Sequence, residues 1–121
     1  MNGFDSLPVD VETMRTTTAR VLADDAGLPA ADELETLVRM YRGHLMVLIP
    51  EIGRVTLGLP EDNADVVAAW AGVGEARRRL DAVGEGAFPR ELAHARRLAR
   101  SVVCLLSHLE RLEGPGDRRE P

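Results

Sequence analysis

The sequence predicts an all-α protein: an antiparallel, up-down four-helix bundle with one short N-terminal helix and a proline-kinked second helix. Three observations predict it. Apolar residues recur at helical spacing in four segments. Strand-like alternation of apolar and polar residues is nearly absent. Short links separate the four segments, which favours antiparallel neighbours. With 121 residues, of which 45% are apolar, the chain has room for one domain with a core of its own. That domain is expected over residues 10–113, between a flexible tail at 1–9 and a disordered, polar tail at 114–121.

The first helix is expected from about Val11 to Asp25, behind the N-cap Asp10 and ended by Gly27. Its stripe of Val11, Met14, Thr18, Val21 and Leu22 is narrow, and three successive threonines weaken it. The second helix carries the strongest pattern. Leu34, Leu37, Val38, Tyr41, Leu45, Leu48, Ile49, Ile52, Val55 and Leu59 fall within one arc at 100° per residue. Pro50 lies opposite that arc, lacks an N–H and clashes with the carbonyl of Met46, which predicts a kink rather than a break. Met46 and Val47 are apolar outside the stripe. A helix apolar on nearly all sides is expected to be enclosed, either by sister helices or by a second subunit.

Leu59-Pro60-Glu61-Asp62-Asn63 reads as a turn. The third helix follows over about Ala64 to Val83, with a stripe of Val66, Ala69, Trp70, Val73, Ala76 and Leu80. Gly72 and Gly74 each cost about 1 kcal/mol inside a helix, so a close backbone approach is expected there. The fourth helix opens at Pro89, a good first-turn residue, and buries Leu92, Ala95, Leu98, Ala99, Val102, Val103, Leu106 and Leu109, ending near Leu112.

Charge and composition exclude several classes. The formal charge is −5 and every one of the 15 basic residues is arginine, a bias that GC-rich coding produces. A net negative domain with four aromatic residues is a poor binder of nucleic acid. No apolar run reaches the roughly 18–20 residues of a membrane span, and Met1–Pro8 lacks the order of a secretory signal. The single cysteine, Cys104, fits a reducing cytoplasm. The chain holds no glycine-rich phosphate loop, HExxH, CxxC or nucleophile elbow, so neither a cofactor nor a metal is expected. Arg77-Arg78-Arg79 points in three directions around its helix and reads as a solvated feature, not a DNA-reading element.

Three polar groupings remain. Glu91 and His94 form half of a di-metal signature, but Glu91 in a first helical turn complements the helix dipole. Cys104 and His108 stand one turn apart, too few ligands for zinc. They share a side with Arg97, Arg100, Ser101 and Arg111, which makes this a candidate interaction face for a partner subunit. Arg77 falls inside the apolar stripe of helix three, where three accounts compete. Its stem snorkels to water, or it pairs with an acid across the bundle, or it meets an anionic ligand. Glu51 is the candidate acid, and His44, Glu51 and Arg77 together form a candidate polar pocket able in principle to move a proton.

Several short motifs follow one another in order: Tyr41-Arg42-Gly43-His44, Leu48-Ile49-Pro50-Glu51, Leu59-Pro60-Glu61-Asp62, Gly74-Glu75-Ala76-Arg77 and Ala95-Arg96-Arg97-Leu98-Ala99-Arg100. Their combination resembles a family of short, uncharacterised helical proteins of high-GC Gram-positive bacteria labelled "natural product biosynthesis protein". The resemblance runs from about Asp10 to Leu112 and assigns a role to no residue. It implies association with secondary metabolism. The reading is a non-enzymatic accessory or regulatory interaction protein, a homodimer with a possible protein partner from a biosynthetic pathway. The alternative is a small-molecule binder or small tailoring enzyme that uses the inter-helix pocket.

Overall fold

The computed structural model describes residues 9–84 and 86–118, with side chains described through 113. These residues form four helices and no strand: α1 Val11–Leu22, α2 Ala31–Thr56, α3 Ala64–Asp81 and α4 Phe88–Arg118. No helix among the described residues is long and apolar enough to cross a membrane.

Local chemistry sets the ends. Asp10 caps α1 by accepting from the Thr13 amide at 3.1 Å, which satisfies one of the orphan donors of the first turn. Asn63 caps α3 in the same way, accepting from the amides of Asp65 and Val66. The first helix ends at Leu22, before the expected Asp25, because Ala23 turns extended. Arg20 then gathers the link: its guanidinium donates to the carbonyls of Ala26 and Gly27 and pairs with Glu33 of α2 at 2.6 Å. Gly27 sits at φ +71°, in the left-handed region that favours glycine. Pro50 lies inside one unbroken α2. The fourth helix continues to Arg118, so the backbone of residues 114–118, expected in a disordered tail, is helical. Residues 119–121 lie outside the described residues, as does the expected N-terminal tail except for Val9, which packs on the core.

The core is built around two helices. The second and fourth helices each touch all the others, while α1 and α3 do not meet. Tyr41, Leu45, Leu48 and Ile52 of α2 and Leu98, Val102, Leu105 and Leu106 of α4 are fully buried or nearly so. Each such side chain contributes about 1.5–3 kcal/mol by leaving water. The Tyr41 hydroxyl donates to the Thr17 carbonyl at 2.7 Å. Burial pushes the phenol pKa up to about 12.

Within one chain the second helix is only partly enclosed, and the third departs from expectation. On the second, Val47 packs against the core, but Met46 is 66% exposed and Pro50 lies open beside it. The third helix is turned so that Val66, Ala69, Val73 and Ala76 face inward, leaving Trp70 half outside and Arg77 in water. This rotation keeps a guanidinium hydrated, which avoids a desolvation cost of several kcal/mol. It also presents short side chains to the core, so α3 lies close to α4. A Cβ on Gly72 would come within 3.2 Å of Leu105 and of the His108 ring, whereas Gly74 faces only Arg78 at 3.8 Å.

Candidate functional site

The predicted trio of His44, Glu51 and Arg77 is dispersed. His44 sits in the α1–α2 seam, with Nε2 3.0 Å from the Thr17 hydroxyl. Burial holds its imidazole below the usual histidine range, against the pull of Asp10. Glu51 is buried, yet it clasps Arg54 one turn along its own helix, with Nε donating to Oε1 at 3.0 Å. Arg77 is exposed, and no hydrogen bond or ion pair links any two of the three. The guanidinium is hydrated because α3 turns that edge outward, so the shared polar cavity does not form.

The α4 face divides as well. Arg97, Arg100 and Cys104 are exposed. Ser101 is buried and accepts from Arg79 of α3 at 3.1 Å; the same nitrogen also donates to the Arg97 carbonyl. His108 lays its ring over Gly72 and places Nδ1 2.9 Å from Arg111. Ser101 and His108 therefore hold α3 to α4, and Arg97, Arg100 and Cys104 remain open to a partner.

Near the start of α4, the Glu91 carboxylate accepts from the Gly86 amide at 2.9 Å. It lies directly over Gly84, where a Cβ would come within 2.3 Å of Oε1. The Glu91 carboxylate thus closes the α3–α4 link. No group of three or more His, Cys, Asp or Glu able to hold a metal occurs among the described residues. One turn on, His94 is buried and its Nδ1 has no hydrogen-bond partner. Burial, then Arg97 and Arg42, holds its imidazole below the usual range, while Glu91 pulls the other way. On the Glu91 side, a groove of about 360 Å³ is lined by Leu34, Val38, Phe88, Glu35, Arg39 and Glu91 among others.

The largest departure from an ordinary monomer surface is apolar. At the end of α2 and along α3, Leu57 is 83% exposed, Val67 55% and Trp70 40%. Leu59, Val66, Val67 and Trp70 line a shallow groove of about 320 Å³ with Thr56 and Glu61. The Trp70 ring stands over Gly53 of α2, 3.8 Å from where a Cβ would sit. Met46 lies two turns before Gly53 on the same side of α2, which extends the apolar strip. Exposed aromatic and aliphatic residues in one contiguous patch mark interaction surfaces. The periodicity alone put Trp70 in the core. The usable signal was Arg77, seven residues on and so on the same line of the helix: a line that ends in an unpaired arginine is not the buried one.

The fold and this surface define a small all-helical protein with an apolar outer face and no assembled catalytic set among the described residues. The chain belongs to a family of unknown function, DUF6415, whose model matches residues 12–114. No curated protein and no solved structure matches it.

Proposed function

We propose that this protein is a helical interaction module that self-associates as a homodimer and serves as an accessory or regulatory partner, not an enzyme, in natural-product biosynthesis. The observation that carries the reading is the exposed strip of Leu57, Val67, Trp70 and Met46. Tryptophan is the residue type most enriched at binding hot spots, and its exposure in water is costly unless a partner covers it. The pathway context rests on the motif order from Tyr41 to Arg100 and the label of the family it resembles. A cytoplasmic location fits the single free cysteine.

In this reading successive helices alternate in direction. The cross-helix pairs support it, since Thr17 meets His44 while Arg20 meets Glu33, so numbering rises in one helix as it falls in the other. Arg42 at the Leu80 carbonyl and Gly53 beneath Trp70 give α2 and α3 the same relation. Pro50, with no N–H to offer the Met46 carbonyl, supports a bend in α2 that carries Met46 to the outer side. A second reading, capture of a small molecule, draws on the groove between Leu34 and Phe88; amide chemical-shift changes confined to its walls on screening small organic probes are its test.

Light scattering on a size-exclusion column tests the main reading. The expected mass is twice 13.2 kDa at micromolar concentration. Trp70→Asp is expected to weaken association by about 30-fold, the equivalent of a hot spot worth about 2 kcal/mol. A wild-type mass of 13.2 kDa throughout the micromolar range contradicts it.

A further inference from the structure

We infer that the outer face of α2 and α3 takes a second copy of this chain, docked with α3 against α3 in opposite directions about a twofold axis near Trp70. The inference rests on the dimeric reading above and supplies its geometry. Twofold contacts are self-complementary, so one patch must carry both halves of every pairing. This face does so in charge. Glu61 and Asp62 are exposed just before α3, and Arg77 is exposed near its end. None of these three has an ion pair or hydrogen bond from its side chain among the described residues, whereas the neighbouring Arg78 is taken by Glu75.

Spacing turns that sorting of charge into an orientation. Arg77 lies seven residues after Trp70, about 10 Å along α3 at 1.5 Å per residue, while Glu61 and Asp62 stand at the opposite end, just before the N-cap Asn63, with Glu61 in the same groove as Val67 and Trp70. A rotation about an axis through Trp70, perpendicular to α3, lays Arg77 of each copy over Glu61 and Asp62 of the other, twice in one interface. Pairing the helices in the same direction instead sets arginine against arginine and acid against acid, an arrangement that complementary interfaces avoid. Between the charged ends, Trp70 and Val67 supply the apolar centre. Ala71 is exposed and short, and Gly74 meets nothing nearer than Arg78 at 3.8 Å, so little bulk holds the two helices apart. Among the described residues this face has no equivalent on α1 or α4, whose outward residues there are mainly charged or polar.

The test places a cysteine beside the axis. In a Cys104→Ser background, Ala71→Cys is expected to give a covalent dimer with a short bis-maleimide, while wild-type Cys104 on α4 gives none. Arg77→Glu, and separately Glu61→Arg with Asp62→Arg, are each expected to weaken the dimer by about tenfold. Mixing the two variants restores association to within about threefold of wild type, as charge complementarity between unlike copies requires. All substituted side chains are exposed, and circular dichroism checks that each variant keeps its helices. A wild-type dimer whose Ala71→Cys variant does not cross-link and whose Arg77→Glu variant associates normally overturns this docking and leaves the dimeric reading standing. A wild-type chain that stays monomeric to about 100 µM overturns both.

Discussion

His94 is the residue whose environment departs most from its preferred chemistry. Its imidazole is buried on α4, Nδ1 has no partner, and the charged groups acting on it are Arg97 and Glu91 of its own helix and Arg42 of α2. Desolvation and the two guanidinium groups disfavour the imidazolium, so the folded chain binds a proton less readily than the unfolded one. Histidine titrates near 6.5 when unfolded. The stability is therefore complete above that pH and is lost as pH falls below it towards the folded value. His44 and His108 shift in the same direction, also by burial first. The melting temperature is expected to fall on going from about pH 7.5 to about pH 5.5. Substituting His94→Leu is expected to preserve stability at neutral pH and to flatten part of that fall; an unchanged pH dependence contradicts this assignment. At this scale the sequence was partly legible. Glu91 was readable as a first-turn carboxylate, and it holds the Gly86 amide there. The burial of His94 was not, because it flanks the stripe of Leu92, Ala95 and Leu98 and only the angle at which α2 meets α4 decides whether that edge is covered.

The third helix shows what a sequence of small residues does and does not specify. Gly72 and Gly74 together signal a close approach, and Gly72 makes it, against Leu105 and His108 of α4. Gly74 does not. The distinction depends on how the helix is rotated about its axis, a choice made by the sum of its contacts: Ala69 and Ala76 inward, Trp70 and Arg77 outward. Periodicity gives the width of the buried arc to within a residue, and α3, with so many alanines, has little contrast to fix its centre. The same rotation undid the pocket reading, since Arg77 moved to water while Glu51 closed on Arg54. Opposite outcomes are expected for the two glycines. Gly72→Val overpacks the α3–α4 seam and is expected to lower stability by about 2 kcal/mol. Gly74→Ala makes only an ordinary contact with the Arg78 side chain and gains helix propensity, up to about 1 kcal/mol. Urea denaturation with matched slopes reads both, and equal effects at the two sites contradict this rotation of α3.

For the whole molecule, the helix count and order were legible because four long periodic segments and their polar links dominate the chain. The end of α1 was misplaced by three residues, since Arg20, not Gly27, organises the link that follows. The arrangement within the bundle was not legible either. The second and fourth helices form a central pair with α1 and α3 on either side, so α2 satisfies its broad apolar pattern inward while Met46 stays outside. That leftover, joined to Trp70 and Val67 on α3, is the surface on which the proposed function depends. Trp70 is the only tryptophan in the chain, so its emission reports this surface without interference. The decisive measurement is Trp70 fluorescence with acrylamide quenching across a dilution series from hundreds of micromolar to well below one micromolar. A covered surface predicts blue-shifted, quencher-protected emission at high concentration that moves to the red on dilution, in step with the fall in mass. Emission that stays red and equally quenched at every concentration would show Trp70 open to water in the working state and contradict self-association through this face.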